Sequence, residues 1–206
     1  MMALKGDDGV PKDTFHNLSD DKKRKIFDAA VQEFSTRRFS EASINQIVKA
    51  AGIPRGSFYQ YFSGKEDIFC YMFEEILKEK RDVIRQSESV DPDADVFEIC
   101  IQATGASFEW GRLNPKYSQI GMLMEIDNSE FITKLRGASF EGLRKMIERD
   151  KKRGLIKPET DSDLVADMIY ALIWKQYSLV GFNEELFLEK VNDGFKIIRE
   201  GIAGGK

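Results

Sequence analysis

Apolar residues recur at spacings of three and four along almost the whole chain, and no segment shows the two-residue alternation or the Asn-Gly turn of a hairpin. The pattern predicts an all-α fold. A first helix follows Ser19, with Asp20 and Asp21 in the turn where the helix dipole favours negative charge, and sets Ile26, Phe27, Ala30, Val31 and Phe34 on one face. Ser43, followed three residues later by Gln46, reads as a capping box that opens a short second helix. Its stripe of Ile44, Ile47, Val48 and Ala51 stops at Gly52, a residue suited to the left-handed turn that ends helices. Pro54 suits a first helical position, so a third helix runs to about Phe62; Ser63 with Glu66 forms a second box that opens a fourth, to about Gln86. Two short helices around a glycine turn, between Ser43 and Phe62, make a helix-turn-helix.

Five longer amphipathic helices follow: Pro92 to about Leu113, Pro115 to about Ile126, Ser129 to about Arg153, Asp161 to about Val180 and Glu184 to about Ala203. Short loops between them predict a bundle. The chain thus divides into a flexible leader over 1–18, a three-helix domain over 19–65, and a helical domain over 66–206 that the fourth helix joins to it.

Charge first argues against a nucleic-acid partner, because the 206 residues carry a net −4 and a sequence pI near 5.3. The average hides an asymmetry. Residues 1–65 sum to +3 and residues 66–206 to −7, and the stretch Asp20–Lys65 holds nine basic against five acidic side chains. The bases come as Lys22, Lys23, Arg24 and Lys25, then Arg37, Arg38, Lys49, Arg55 and Lys65, although such runs are more often an ordinary solvated helix face. The longest weakly charged apolar stretch, Met168 to Phe182, is interrupted by Lys175 and falls short of a membrane span. Asp7 and Asp8 stand where a signal peptide would carry its apolar run, so the expected location is cytoplasmic. Cys70 and Cys100 lack metal-ligand spacing and read as free thiols, and His16, the one histidine, leaves little room for a zinc site or a Ser-His-Asp triad. Neither a metal, nor a cofactor, nor an enzymatic activity is expected.

The third helix carries the chemistry. Ile53, Phe58 and Phe62 can point inward, which leaves Arg55, Ser57, Tyr59, Gln60 and Tyr61 on outward or flanking positions. Gly56 inside a short helix costs about 1 kcal/mol relative to alanine, and its missing side chain would let the backbone approach something bulky. In a helix-turn-helix the second helix enters the major groove, where Arg55 can bind guanine O6 and N7 and Ser57 can meet base edges or their phosphates. Tyr59, Tyr61 and Lys65 would hold phosphates, as would Ser43 and the N-terminus of the second helix. The competing reading packs the tyrosines on neighbouring helices and leaves the glycine merely tolerated.

The run Ile26 to Phe73 resembles the DNA-binding domain of the TetR (tetracycline repressor) family of bacterial transcriptional regulators. The likeness rests above all on Ala50-Ala51-Gly52-Ile53, Gly56-Ser57-Phe58-Tyr59, Tyr61-Phe62 and Gly64-Lys65-Glu66-Asp67. The resemblance implies a homodimer, binding of double-stranded operator DNA by the third helix, and a C-terminal bundle that binds a small inducer and pairs with its twin through the last two helices. Carried onto this sequence, the family's base-reading positions are Asn45, Arg55, Gly56, Ser57 and Tyr59, and its phosphate-holding positions are Ser43, Tyr59, Tyr61 and Lys65.

In the bundle, Phe108, Trp110, Tyr117, Met122, Met124, Phe140, Tyr170, Trp174 and Tyr177 are candidates to line a pocket for a largely apolar ligand, or simply to fill the core. Leu172, Ile173 and Val180, with Phe187, Val191, Phe195 and Ile198 of the last helix, are candidates for a four-helix dimer interface. The leading expectation is a repressor released from its operator by an inducer. The alternatives are a helical carrier or enzyme that keeps the fold, and a regulator that answers a protein partner.

Overall fold

A computed structural model of the chain describes residues 11–87, 91, 93–180 and 183–204, apart from the side chains of 84–87, Ser139 and Val180. The described residues form helices α1 (Asp13–His16), α2 (Asp20–Phe34), α3 (Ile44–Ala51), α4 (Arg55–Tyr61), α5 (Lys65–Ser87), α6 (Val96–Leu113), α7 (Pro115–Glu125), α8 (Glu130–Ser139), α9 (Glu141–Lys152), α10 (Ser162–Val180) and α11 (Glu184–Ile202). A β-bridge between Ile156 and Ala203 is the one extended pairing among them. The all-α reading holds, with helix ends mostly within a residue or two of their predicted places.

Local chemistry explains most of those ends. Gly52 takes the left-handed conformation at φ 66°, and the Ile53 N–H returns to the Val48 carbonyl to close the turn. The Asn183 side chain accepts from Leu186 N–H at 3.1 Å and starts α11. Pro92, the predicted start of the fifth helix, lies outside the described residues. α6 instead begins after Asp95, whose Oδ1 accepts from the N–H groups of Phe97 and Glu98 at 3.0 Å each. Asp161 does the same for α10, accepting from Asp163 and Leu164. The single helix expected over 129–153 is divided between α8 and α9 at Phe140, which keeps helical angles (φ −80°, ψ −13°). Gly137 and Gly142 flank that joint and weaken the helix on both sides.

Both capping boxes form differently from expectation. Ser43 does precede α3, but its hydroxyl makes no capping bond; its own N–H donates to Glu33 Oε1 at 2.8 Å. At α5 the residue that reaches back to Ser63 N–H is Asp67, at 2.7 Å, rather than Glu66. Pro54 is extended and precedes α4 instead of opening it.

The chain forms two compact units. The first joins the described residues up to Arg81 to Asn114–Ala138, and the second joins Asp82–Leu113 to the described residues from Ser139 onward. This division differs from the expected one at residue 65 in grouping α7 and α8 with the helix-turn-helix. In the first unit Ile26, Phe34, Ile47, Phe58, Phe62, Ile68, Phe69 and Met72 are buried with Ile120 of α7 and Ile132 of α8. In the second, Val96, Phe97 and Phe108 of α6 meet Ile147 of α9, Val165 and Ile169 of α10, and Phe187, Val191 and Phe195 of α11. Among the described residues no helix is long and apolar enough to cross a membrane, and no cluster of His, Cys, Asp and Glu could hold a metal ion. Cys70 and Cys100 are free thiols, and burial pushes their pKa values up to about 11 and about 12.

The leader is also corrected over residues 11–18. Phe15 is buried, tilted on Phe62 at 5.1 Å and edge-on to Tyr71 at 4.8 Å. Lys12 N–H donates to the Tyr61 carbonyl at 3.0 Å, Lys12 Nζ to the Tyr59 carbonyl at 3.1 Å, and the Thr14 hydroxyl to the Gln60 carbonyl. These are carbonyls of the last turn of α4, which the helix itself cannot satisfy. Residues 1–10 of the leader lie outside the described residues.

Candidate nucleic-acid interface

α3 is amphipathic, burying Ile47, Val48 and Ala51 and leaving Asn45, Gln46 and Lys49 exposed. α4 is anchored by Phe58 and leaves Arg55, Gly56, Tyr59 and Gln60 exposed. The two outer faces meet through Arg55. Its NH1 donates to Asn45 Oδ1 at 2.7 Å, its NH2 reaches Tyr59 Oη at 3.4 Å, and the guanidinium lies 5.9 Å from the centre of the Tyr59 ring. Three side chains from both helices of the motif therefore form one exposed cluster, with Tyr59 at 42% exposure. Such a cluster gains little for stability in water, but it holds an arginine fork ready for a planar acceptor pair such as a guanine edge. A Cβ on Gly56 would meet nothing within 4 Å, and Gly56 does not occupy the left-handed region, so packing within the protein does not require glycine there. Ser57 and Ser43 are half-buried at the margin of this face.

Two predicted phosphate holders are turned to other uses. Tyr61, at 6% exposure, is buried edge-on against Phe15, because the leader folds over it. Lys65 donates from Nζ to the carbonyls of Ala42 at 3.1 Å and Ser40 at 3.4 Å and lies 4.7 Å over the Phe39 ring. The basic run at the start of α2 is partly neutralised in place, by Lys23 with Asp20, Arg24 with Asp28 and Lys25 with Asp21.

The candidate ligand residues are not gathered into one lining within either unit. Tyr117, Met122 and Met124 belong to the first unit, where Tyr117 stands edge-on to Phe27 and Met124 is buried. Phe108 is core, stacked on Phe187 at 4.8 Å, and Trp110 is buried. Phe140, Tyr170, Trp174 and Tyr177 form a half-buried aromatic band, with Tyr170 and Trp174 parallel to within 3°. Glu109 is paired with Arg112 on an exposed edge of α6, and that contact holds its carboxyl below the usual range.

The dimer candidates need a similar correction. Phe187, Val191 and Phe195 are buried inside the second unit, while Leu172, Ile173 and Ile198 are half-buried against its core; the Val180 side chain lies outside the described residues. The outward apolar residues are Leu164, Met168 and Leu179 of α10 with Leu186 and Ile197 of α11. At 100° per residue each set lies on one face of its helix.

Comparison with known proteins falls on the same helices. Residues 26–72 match the family model described as bacterial regulatory proteins, tetR family. These residues carry a tetR-type helix-turn-helix. The chain is 25% identical over 155 residues to the uncharacterized HTH-type transcriptional regulator YdgC of Bacillus subtilis, an alignment covering 74% of this chain and 77% of YdgC. Its fold matches the crystal structure of a TetR-family regulator from Chloroflexus aurantiacus with a TM-score of 0.67 at 23% identity, covering 96% of this chain and all of the other. It also matches FadR of Bacillus subtilis, solved in complex with stearoyl-CoA, with a TM-score of 0.63 at 20% identity, covering 87% of this chain and 99% of FadR. The TetR motif thus coincides with the helices that present Asn45, Arg55 and Tyr59.

Side chains that contact the segment before α3 or the end of α4 escaped the sequence reading: Glu33, Asp127, Phe131 and the Lys12–Thr14 pair. Glu33 carried a signal, being a carboxylate on the otherwise apolar face of α2 beside Ala30 and Phe34. Asp127 carried none, since its partner is 87 residues away.

Proposed function

We propose that this chain is a homodimeric repressor that reads its operator with α4 and the start of α3 and leaves it when a largely apolar small molecule binds. The observation that carries the DNA-reading part is the Asn45–Arg55–Tyr59 cluster, polar, exposed and drawn from both helices of the motif. In this reading Arg55 takes a guanine, Asn45 and Ser57 reach neighbouring base edges, Gly56 lets the α4 backbone lie close to the duplex, and Tyr59 with Ser43 holds phosphates. The negative total charge is compatible, because screening over about 8 to 10 Å confines phosphate attraction to the contacting face.

Pairing of two chains is assigned to the exposed face of α10 and α11 that bears Leu164, Met168, Leu179, Leu186 and Ile197. The half-buried aromatic band of Phe140, Tyr170, Trp174 and Tyr177 supports an apolar ligand, and the stearoyl-CoA held by the FadR neighbour makes a long acyl thioester the first probe. A regulator of this kind works in the bacterial cytoplasm, where its DNA is.

The test is selection of duplexes from a random-sequence pool by the full chain, followed by affinity measurements across salt. A selected duplex bound with a log–log salt slope of several units supports the reading, and a flat slope or no selected sequence refutes it. Release of that duplex by stearoyl-CoA, but not by coenzyme A, would support the ligand assignment; no effect of the acyl chain would remove it.

A further inference from the structure

The peptide between α2 and α3 is gripped from three sides by charged groups. Glu33 of α2 accepts the Ser43 N–H at 2.8 Å, and Lys65 of α5 donates to the Ser40 and Ala42 carbonyls. The third grip comes from the turn between α7 and α8. There Asp127, at 1% exposure, accepts the Ser40 N–H through Oδ2 at 2.8 Å. Its other oxygen accepts the Ser129 N–H at 2.8 Å, and Arg136 NH1 donates to the carbonyls of Met124, Glu125 and Asp127, so the turn that carries the carboxylate is itself fixed. Directly beside it, Phe131 of α8 lies 4.6 Å from the Phe39 ring and 5.9 Å from that of Phe69.

A carboxylate buried this completely is strongly unfavourable unless it is hydrogen-bonded, and here both of its oxygens are used on main-chain amides. One of those amides lies three residues before Ser43, after which α3 begins, and Asn45 is the second residue of α3. The Asn45 to Arg55 bond at 2.7 Å depends on where that helix starts relative to α4. Recognition groups need placement within about 0.5 Å, a tolerance that a loosened loop would exceed.

We propose that Asp127 is a positioning residue for operator recognition: by holding the Ser40 amide, with Phe131 against Phe39, it sets the start of α3 and thereby the register of Asn45 with Arg55. The inference rests on the reading of α3 and α4 as the DNA-reading surface. It makes the α7–α8 turn part of the DNA-binding apparatus, although it contributes nothing to the exposed cluster itself.

The experiment uses the full chain and a duplex selected from a random pool by the unsubstituted protein. Asp127→Ala is expected to bind that duplex about tenfold more weakly or worse, to bind an unrelated duplex within about twofold of the original, and to keep its salt slope, since no phosphate contact is removed. Asp127→Asn keeps one carbonyl oxygen for the Ser40 N–H and should recover much of the lost discrimination, while hydrogen exchange at Ser40 rises in the order original, Asn, Ala. Ile147→Ala, in the core of the other unit, serves as a control for a fall in melting temperature. Equal losses on both duplexes, a loss no greater than that of Ile147→Ala, or no loss at all would overturn the proposal. Should the unsubstituted chain select no duplex, the DNA-reading assignment itself falls, and this inference with it.

Discussion

Removing Asn45 tests whether the exposed cluster works as a unit. Arg55→Ala deletes the fork that addresses one base pair, which should weaken binding to a selected duplex by about 1 to 3 kcal/mol, or about 5- to 150-fold, with specificity relaxed at that pair. Asn45→Ala leaves the arginine in place but takes away the Oδ1 that holds NH1 at 2.7 Å, so the guanidinium keeps only the weaker Tyr59 contact at 3.4 Å. If Asn45 acts largely by aiming Arg55, its removal should matter far less once Arg55 is already alanine. The double-mutant cycle should then show a coupling of about 1 kcal/mol or more, measured by fluorescence anisotropy on the selected duplex. Both side chains are exposed, so urea unfolding should move by no more than about 0.5 kcal/mol for either single change. Additive losses within about 0.3 to 0.5 kcal/mol would refute the coupling and leave Asn45 and Arg55 as independent contacts.

Two predictions concern stability. Burial alone would raise the pKa of Asp127, but its hydrogen bonds from Ser129 and Ser40 outweigh that and lower it to about 2 from an ordinary 3.8. A depressed carboxylate stabilises the fold above its unfolded pKa and loses that contribution as pH falls. The stability advantage over Asp127→Asn should therefore be about 2 kcal/mol at neutral pH and shrink between about pH 4 and pH 2 in urea titrations; an advantage independent of pH would contradict the assignment. At the contact between α10 and α11, a Cβ on Gly194 would clash with Leu172 Cδ2 and come 3.1 Å from its Cγ. Gly194→Ala should thus fail to show the gain of about 1 kcal/mol that helix propensity offers, and instead lower the melting temperature, with Leu172→Ala in the same chain relieving part of the loss. A simple rise in melting temperature would show that the helices do not meet closely at this point.

What the sequence made legible was local. Gly52 and Asn183 announce their turns because the relevant atoms lie within a few residues, and the spacing of Ile53, Phe58 and Phe62 fixes which face of α4 turns outward. Arg55 and Tyr59 of the exposed cluster were legible for the same reason, one turn apart on α4, whereas Asn45, ten residues before Arg55, entered only through the family resemblance. Distance along the chain hid the rest. Periodicity marks Phe187, Val191 and Phe195 as one apolar stripe, but only the fold shows that the stripe faces α6 inside the same unit. Ser43 was recognised as a cap, yet Glu33, ten residues earlier, holds its amide in a way no box motif encodes. Tyr61 was expected outside because nothing in its own helix covers it; the cover is Phe15, which composition had consigned to a disordered leader.

That short N-terminal helix has a consequence for anyone trimming this gene. A fragment cut at the boundary of the recognised motif, near Ile26, would keep every residue proposed to touch DNA and still lack the lid of its reading helix. The last carbonyls of α4 would lose Lys12 and Thr14, and Phe62 and Tyr71 would face water where Phe15 had been. A chain begun at Ser19 would show the same defect, which ties Lys12, Thr14 and Phe15 to the integrity of the proposed reading helix.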